Sequence, residues 1–482
     1  MRNAGFSVIL LIVFTMCGYS QSVYTLTEIL ELASAQSPAG RINETRKENR
    51  YWQYRVYRSN YNPQLVLNGN LPDYNRDFFQ NRLDDGTIRY QERQQTTGTL
   101  NLGLVQPVIL SGGTLSVNTN LSRYNDHLFD INQWNSTLIN IRFNQPVFAF
   151  NSLKWDRRTE PLRYEESKRE YAEELEYIAQ QTTERFFSVL EAQINLDIAK
   201  LNLQNNDTVH TIEQQRYALG TTTNEKLLQA ELQLLRAKQE MNTALLSLQN
   251  TKLDLLAYLG LKQSDEFTLQ LPEVIPRFTI DPATALNYAR NNRAAYIAFE
   301  RRRIEAEQEK AKAKGERFQI NIQAVYGLNS IGDRFGEVYT NPLSQQQLTI
   351  GFSIPLVDWG RNQARMRVAE VNSRLNDYLV EQDEINFERE IITQVNQLGV
   401  LINQLETSRQ LDRVAMERYQ VSRDRYLAGK IDITNLAIAL SEKDQARRSY
   451  IAALRAFWIL YYTLRRLTLY DFATNKLLYK PE

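Results

Sequence analysis

Residues 227–258 read LLQAELQLLRAKQEMNTALLSLQNTKLDLLAY. Alternate steps of three and four residues in this stretch fall on apolar or small side chains: Leu227, Ala230, Leu234, Ala237, Met241, Ala244, Leu248, Thr251, Leu255 and Tyr258. This spacing keeps a narrow stripe on one side of an α-helix, as in a coiled coil. The stretch therefore predicts a long helix that packs along a partner helix.

The residues before this stretch are also helical in composition. From Leu162 to Leu271 the chain has no proline and only two glycines, Gly220 and Gly260. A glycine just after the last helical turn can take the left-handed conformation that ends a helix. We therefore expect a helical hairpin over residues 154–260 that turns at Gly220. At roughly 1.5 Å per residue, its first arm would be on the order of 85 Å long.

The same pattern occurs again 209 residues further along the chain. Three landmarks recur at this offset: Pro146, Tyr217 and Gly220 match Pro355, Tyr426 and Gly429. The apolar stripe recurs too, interrupted only by Lys443: Leu436, Ala439, Lys443, Ala446, Tyr450, Ala453, Phe457, Leu460, Leu464 and Leu467. A constant offset at separate features indicates an internal duplication. It predicts a second helical hairpin over residues 360–468.

The N-terminal 20 residues have the composition of a secretory signal peptide. They contain Arg2, an apolar run over residues 8–14, and small residues at positions 18 and 20. Cleavage after Ser20 would remove Cys17, the only cysteine, and leave a chain without disulfides. The residues just before Cys17 are not the small ones that a lipoprotein signal requires. We therefore expect no lipid anchor.

Charge and hydropathy argue against nucleic acid as a partner and against a membrane-spanning helix. The 57 basic and 56 acidic residues nearly balance, so no strong field is available to attract nucleic acid. The most apolar late segment, residues 451–467, carries three arginines. We therefore expect no helical membrane span.

Between the helices, the apolar period changes from 3.6 residues to 2. Leu100, Leu102 and Leu104 alternate with polar neighbours, and similar alternation predicts strands within residues 62–146 and 318–355. The polar side of these strands is rich in amides and hydroxyls: Asn101, Ser116, Asn118, Asn120, Asn140, Arg142, Gln319, Asn321, Gln323 and Thr349.

A soluble sandwich shows the same alternation, but three features favour a membrane barrel. The strands are about ten residues long, enough to cross a bilayer when tilted. Long polar loops alternate with one short turn, Ser111-Gly112-Gly113. Aromatic residues lie near strand ends, where they suit an interfacial girdle: Tyr124, Phe129, Trp134, Phe148, Phe150, Tyr326 and Trp359. The polar side would then line a wet lumen, and closure requires several subunits because six strands cannot enclose an aqueous bore.

Four short motifs carry a resemblance to a known family. They are QPVF at 145–148, IPLVDWG at 354–360, RYALG at 216–220 and RYLAG at 425–429. In this order and duplicated, they resemble the TolC-like outer-membrane efflux protein family over nearly the whole chain after the signal peptide. The resemblance implies a homotrimeric outer-membrane β-barrel continued by a long α-helical coiled-coil tunnel in the periplasm. It also implies a periplasmic adaptor and an inner-membrane pump as partners, with outer-membrane lipid around the barrel.

The resemblance places the two Tyr-x-x-Gly turns at the periplasmic tips of the tunnel, where the adaptor docks and the tunnel closes. The candidates for this tip and gate are Arg216, Tyr217, Gly220, Glu225, Lys226, Arg425, Tyr426, Gly429, Asp432 and Asn435. Some family members have an acid six residues after the tip glycine, but Lys226 and Asn435 stand there in this chain. A ring of carboxylates is therefore not carried over. Charge pairs between neighbouring hairpins and ordinary solvated helix ends both remain open.

The predicted strand number also departs from the family pattern of two strands per repeat. The 44 residues between Pro63 and Pro107 compare with 38 between Arg317 and Pro355. On this basis residues 108–146 are an inserted hairpin, which gives six strands per chain and eighteen in a trimer. If the insert lies outside the barrel, four strands per chain and twelve in the trimer remain.

No constellation of catalytic or metal-binding residues is evident. The two histidines, His127 and His210, have no partner at metal-ligand spacing. Ser111-Gly112-Gly113 matches neither a nucleophile elbow nor a phosphate loop. We therefore expect no enzyme activity, no metal and no cofactor.

These observations predict a domain layout and a function. A signal peptide (1–20) precedes a first repeat (21–271, with a helix at 25–60), a second repeat (272–470, with a helix at 282–316) and a tail (471–482), and the barrel segments are 62–147 and 317–356. The predicted function is the passive outer-membrane exit duct of a tripartite efflux pump for small molecules such as drugs and toxic compounds. Alternatives are the outer-membrane component of type I protein secretion, a periplasmic coiled-coil adaptor or structural protein, and a soluble extracellular binding protein.

Overall fold

The computed structural model describes residues 22–262, 267–276 and 278–479. The chain divides into two units, which we call the helical unit and the sheet unit. The helical unit comprises Met1–Glu44, Ala172–Ala289 and Ile391–Glu482, and the sheet unit comprises Thr45–Tyr171 and Arg290–Glu390. The predicted signal peptide and the last three residues of the predicted tail lie outside the described residues.

The described residues form eight α-helices. They are α1 (Leu26–Gln36), α2 (Pro38–Ser59), α3 (Ser152–Ala218), α4 (Asn224–Leu259), α5 (Pro282–Asn292), α6 (Ala294–Gly315), α7 (Arg361–Leu427) and α8 (Ile433–Thr468). None of them has both the length and the apolar composition of a membrane-spanning helix.

The helix bounds follow the duplication residue by residue. The helices α3 and α7 are each 67 residues long and begin 209 residues apart, and the same offset separates α4 and α8, each of 36 residues. The pairs α1 and α5 (11 residues each) and α2 and α6 (22 residues each) are instead 256 residues apart. The first repeat therefore has 47 residues more than the second between its second and third helices.

The helical region at 25–60 is predicted as two pieces that join at Pro38, and the structure has two helices there; the region at 282–316 is also two helices. Ser37 is extended (φ −62°, ψ 151°), as expected for a residue before proline, and Pro38 starts α2. Arg293 separates α5 from α6 in the same way (φ −72°, ψ 144°), although no proline follows it. At the start of α1, Thr25 and Glu28 form a capping box.

The described residues also form ten β-strands. They are β1 (Ser22–Tyr24), β2 (Gln64–Arg82), β3 (Ile88–Val108), β4 (Gly113–Asp126), β5 (Ile131–Val147), β6 (Phe267–Leu269), β7 (Gln319–Gly332), β8 (Leu343–Ser353), β9 (Tyr470–Asp471) and β10 (Lys476–Leu477). Strands β1 and β6 form a small parallel pair, and β9 and β10 form an antiparallel pair. Neither small pair was predicted from the sequence.

The other six strands form one antiparallel sheet in the order β2-β3-β4-β5-β7-β8. Residues 108–146, predicted as an inserted hairpin, lie inside this sheet because β4 pairs with β3 and β5 pairs with β7. Within the described residues, β2 and β8 each pair along one side only.

The core of the helical unit is built from the predicted apolar stripes. Every stripe position on α4 and α8 is buried or partly buried. Lys443, the one charged residue among these stripe positions, is buried as well. Its Nζ lies 3.1 Å from Asp444 Oδ1 and 4.6 Å from the centre of the Tyr419 ring. The interrupted stripe therefore continues through a paired charge, which is the usual condition for burying a lysine.

Candidate functional site

Two regions of the chain contain the residues singled out from the sequence: the six-stranded sheet and the tips of the two long hairpins. In an antiparallel sheet, residues that face each other across neighbouring strands point to the same side. Asn101 faces Asn120, and Asn118 faces Asn140. Ser116 faces Arg142, and Thr349 faces Gln323.

The register connects these pairs into one continuous polar face. Asn144 faces Thr114 on one side and Gln323 on the other, which places the polar residues of β7 on the same face as those of β4. Gln319, Asn321 and Gln323 then follow at alternate positions of β7. All ten residues proposed from the sequence to line a lumen therefore share one face of the sheet. That this face surrounds water remains a prediction.

The opposite face of the sheet is apolar and uncovered. It carries large side chains that are each between 36% and 74% exposed: Leu65, Leu67, Leu100, Leu102, Leu104, Leu115, Ile141, Phe143, Tyr326, Leu348, Ile350 and Phe352. A soluble monomer rarely exposes so large a continuous apolar patch. The face therefore requires an apolar surrounding that the single chain does not supply.

The tips of the two hairpins share one backbone design. Gly220 and Gly429 each have a φ of +70°, a left-handed conformation that side-chain-bearing residues rarely adopt. The Thr221 amide donates to the Arg216 carbonyl (2.8 Å), and the Lys430 amide donates to the Arg425 carbonyl (2.9 Å). Together with the bonds from the glycine amides to the tyrosine carbonyls, these bonds form a Schellman motif at both tips.

The residues after each turn start the returning helix. Thr223 Oγ1 accepts a hydrogen bond from the Lys226 amide (3.4 Å), and Asp432 Oδ1 accepts one from the Asn435 amide (2.9 Å). Lys226 and Asn435 are thus the capped third residues of their helices, and Asp432 is a helix cap. Within the part of the chain that the structure describes, Glu225 and Lys226 form no ion pair.

A buried carboxylate that the sequence analysis did not single out connects the two tips. Glu213, on α3, is 2% exposed. Its Oε1 accepts hydrogen bonds from Arg216 Nη1 and from the Tyr426 hydroxyl, both at 3.0 Å, and its Oε2 accepts one from Thr222 Oγ1 at 2.9 Å. The guanidinium of Arg216 also lies 5.5 Å from the centre of the Tyr426 ring. We call Glu213, Arg216, Thr222 and Tyr426 the tip cluster.

The electrostatics of the tip cluster favour a charged carboxylate. Burial alone would raise the pKa of Glu213. The hydrogen bonds from Thr222, Tyr426 and Arg216, together with the charge of Arg216, lower it by more than burial raises it. The pKa of Glu213 therefore lies below its ordinary value. Burial, followed by the hydrogen bond to Glu213, raises the pKa of the Tyr426 hydroxyl. The tyrosine therefore remains a proton donor and Glu213 remains an acceptor at neutral pH.

Of the ten tip candidates, the structure brings Arg216 and Tyr426 into this cluster. Among the residues that the structure describes, their equivalents in the other repeat, Arg425 and Tyr217, do not form a second cluster, and Tyr217 is 46% exposed. The position equivalent to Glu213 at the offset of 209 residues is Ser422. This difference between the repeats is the signal in the sequence that could have identified Glu213.

Substituting the tip glycine tests the left-handed turn. Gly220→Ala should speed amide hydrogen exchange at Thr221 roughly tenfold, because a left-handed conformation costs a side-chain-bearing residue about 1–2 kcal/mol. No other atom lies within 4 Å of a Cβ built at this glycine, so the change adds no steric clash. Hydrogen–deuterium exchange with mass spectrometry measures the effect.

The matched control is Gly399→Ala. Gly399 lies within the helix α7, and a Cβ there also has open space. This variant should leave exchange at the tip unchanged. Unchanged exchange in Gly220→Ala would instead show that the turn does not depend on the left-handed glycine.

No group of three or more histidine, cysteine, aspartate or glutamate residues in the described ranges is arranged to hold a metal ion. His127 Nε2 lies 2.7 Å from the hydroxyl of Thr96 on the sheet.

Comparison with known proteins identifies the family. The model of the outer membrane efflux protein family matches residues 112–261 and 287–468, which together make up more than two thirds of the 482 residues. The chain belongs to the outer membrane efflux protein family. The family predicted from the sequence is confirmed, and this efflux protein is an outer-membrane channel of an efflux system rather than a member of an enzyme class.

The fold is shared with solved membrane proteins at low sequence identity. A membrane protein from Pseudomonas aeruginosa is 16% identical, with a TM-score of 0.66 and coverage of 94% of this chain and 92% of that one. VceC from Vibrio cholerae is 15% identical, with a TM-score of 0.65 and coverage of 92% and 95%. The CmeC channel from Campylobacter jejuni is 12% identical, with a TM-score of 0.66 and coverage of 92% and 85%. No curated protein sequence matches the efflux protein.

The family match covers the hairpin that the sequence predicts as the insertion. In the first repeat the match begins at residue 112 and includes β4 and β5. Which of the two hairpins in the first repeat is the additional one stays a prediction.

Proposed function

We propose that three copies of this efflux protein close their sheets into one barrel of eighteen strands. The supporting observation is the sheet of a single chain, which has one polar and one exposed apolar face and ends in two long strands, β2 and β8, each paired along one side only. Unpaired strand edges are not tolerated in hydrocarbon, and pairing β2 of one chain with β8 of the next removes them all.

In this arrangement the polar face surrounds an aqueous bore and the apolar face contacts lipid. Barrels of 16–18 strands leave a water-filled channel, whereas about eight strands are filled by their own side chains. The amides and hydroxyls of the polar face suit a passive path for small molecules. Transport energy would come from an inner-membrane pump through a periplasmic adaptor.

The tip cluster holds the two hairpins of one chain together at their ends. Hydrogen bonds to a charged group are worth about 1.5–3 kcal/mol each, and Glu213 accepts three of them. Separating Tyr426 from Glu213 leaves a buried carboxylate with one partner fewer. We therefore assign the tip cluster as the contact that keeps the resting tips together until a partner protein compensates for its loss.

Export of an unfolded polypeptide is a second candidate function. It is supported by the width that eighteen strands would give to the bore, compared with twelve. The two candidates differ in cargo and share the same duct.

Recording in planar lipid bilayers tests the duct. The purified full-length protein should insert and give discrete, ohmic conductance steps. Chains that carry one cysteine on β2 and one at the matching depth of β8 should form disulfides between chains and give a covalent trimer on denaturing gels. Cysteines at matching depths of β4 and β8 are the control, since a trimer closed by its edges keeps β4 away from neighbouring chains. Failure to insert, or cross-linking that stops at dimers, would contradict the proposal.

A further inference from the structure

The apolar face of the sheet contains a cavity of about 490 Å³ close to the loops that connect β4 to β5 and β7 to β8. Its floor is formed by β3 and β4, where Leu100 faces Leu121 and Gly98 faces Arg123. Because Gly98 has no side chain, Leu71 can lie over it; a Cβ at Gly98 would come within 2.8 Å of Leu71 Cδ2. Phe335, from the loop after β7, forms the opposite wall against Trp134 at a ring distance of 5.3 Å.

The lining of the cavity changes from apolar to polar along the strands. Leu71, Leu100 and Leu121 line the part nearer the middle of the sheet. Thr96 and Asn125, which face each other four residues further toward the loops, line the other part together with His127. A cavity that is apolar at one end and polar at the other suits an amphipathic ligand.

Arg123 is the charged group of the cavity, and most of its donors are unused. Its Nε donates to Asn132 Oδ1 (3.0 Å), and its guanidinium carbon lies 5.3 Å from the centre of the Trp134 ring. In the described ranges of the chain, no carboxylate lies within 4.0 Å of its guanidinium nitrogens. The acid on the neighbouring strand, Glu92, is paired with Arg76 at 2.7 Å. A cation held by an amide and an aromatic ring is thus available to bind an anion.

The position of the cavity along the strands indicates its depth in the proposed membrane and therefore the source of such an anion. Gly113 lies at the turn that leads into β4, and Arg123 lies ten residues further along this strand. A strand of about 9–11 residues crosses a bilayer when tilted, and aromatic residues concentrate at both interfaces. In the proposed barrel, Arg123 and Trp134 would therefore lie at the level of the lipid headgroups on the outer side.

We propose that this cavity binds a phosphorylated lipid of the outer leaflet. The Arg123 guanidinium binds the phosphate, since its planar donors match phosphate oxygens, and Asn125 and His127 supply further polar contacts. The first part of an acyl chain contacts Leu100, Leu121 and Leu71. The inference rests on the proposed function, because it requires the apolar face to lie in lipid.

Native mass spectrometry of the full-length protein in detergent tests this site with two lipids that differ only in the phosphate. Phosphatidic acid should bind at least tenfold more tightly than diacylglycerol with the same chains. Arg123→Gln should weaken phosphatidic acid binding about tenfold and leave diacylglycerol binding unchanged. Arg142→Gln is the matched control, because Arg142 is also exposed but lies on the polar face; it should not change either affinity.

Three outcomes would overturn the site: equal affinity for the two lipids, no loss of affinity in Arg123→Gln, or displacement of phosphatidic acid by inorganic phosphate at equal concentration. The last would indicate a site for the free anion. Bilayer recordings on the same preparations separate this inference from the proposed function. Arg123→Gln should conduct like the unmodified protein. If the unmodified protein conducts but does not distinguish the two lipids, the lipid site alone is contradicted.

Discussion

Glu213→Gln is expected to raise the resting open probability of single channels roughly 30- to 1000-fold. Glutamine has nearly the same volume, but it is neutral and replaces one acceptor oxygen with a donor group. Arg216, Thr222 and Tyr426 all donate to this side chain. Losing the charge and one acceptor should cost about 2–4 kcal/mol, because bonds to charged groups are stronger than neutral ones. Recordings in planar bilayers at neutral pH measure the change.

Two further variants make this result specific. Tyr426→Phe removes one of the three donors and should shift the open probability in the same direction by a smaller factor. Ser422→Ala changes the position equivalent to Glu213 in the second repeat and should leave the open probability unchanged. If Glu213→Gln channels rest as closed as the unmodified ones, the tip cluster does not hold the tips together.

The tip cluster also predicts a response to acid. The pKa of Glu213 is below its ordinary value in the cluster and returns to that value when the tips separate. The stabilisation of the closed tips is therefore complete above the ordinary glutamate range and is lost as the pH falls through the lowered pKa. Open probability should rise below that range in the unmodified protein. The rise should be absent in Glu213→Gln, and a rise that persists there would assign the response to another group.

Leu102→Arg is expected to prevent most of the protein from assembling in lipid. Leu102 lies on the apolar face of β3 and is 39% exposed in the single chain. An arginine on the lipid face of a barrel costs about 2–4 kcal/mol at the bilayer midplane. Asn101→Arg, one residue away on the polar face, is the control and should assemble normally. Folding into lipid vesicles, followed by the shift of the folded form on gels without heating, measures both.

The comparison of Leu102→Arg with Asn101→Arg also tests the alternatives to a membrane barrel. A periplasmic adaptor or a soluble binding protein would bury the apolar face against protein. Such a protein would not require lipid vesicles to fold. Equal tolerance of arginine on the two faces would therefore count against the duct and in favour of these alternatives.

The features that depend on local pattern were predictable from the sequence. The steps of three and four residues located α4 and α8, and the period of two placed all ten polar candidates on one face of the sheet. The tip glycines were identified because a left-handed turn restricts the residue type. Each of these inferences depends on residues close together in the chain.

The features that were missed depend on contacts between distant residues. Glu213 and Tyr426 are 213 residues apart. The neighbours of Glu213 in the chain do not distinguish it from the other acids on α3; only the serine at the equivalent position of the second repeat, Ser422, does. The pairing of β1 with β6 spans an even longer separation in the chain and involves strands of three residues. The cavity around Arg123 likewise requires the strand register and the loop that carries Phe335.

The equal helix lengths in the two repeats limit how this architecture can evolve. Each residue advances an α-helix by about 100°, so a single insertion in α3 or α7 would rotate everything beyond it out of phase with its neighbours. Antiparallel strands accept a whole hairpin without such a penalty, because a pair of strands preserves both faces and both edges. The 47 additional residues of the first repeat lie between α2 and α3, in the part of the chain that forms the strands. In the proposed duct, descendants of such a protein can therefore vary the bore while the lengths of the long helices stay fixed.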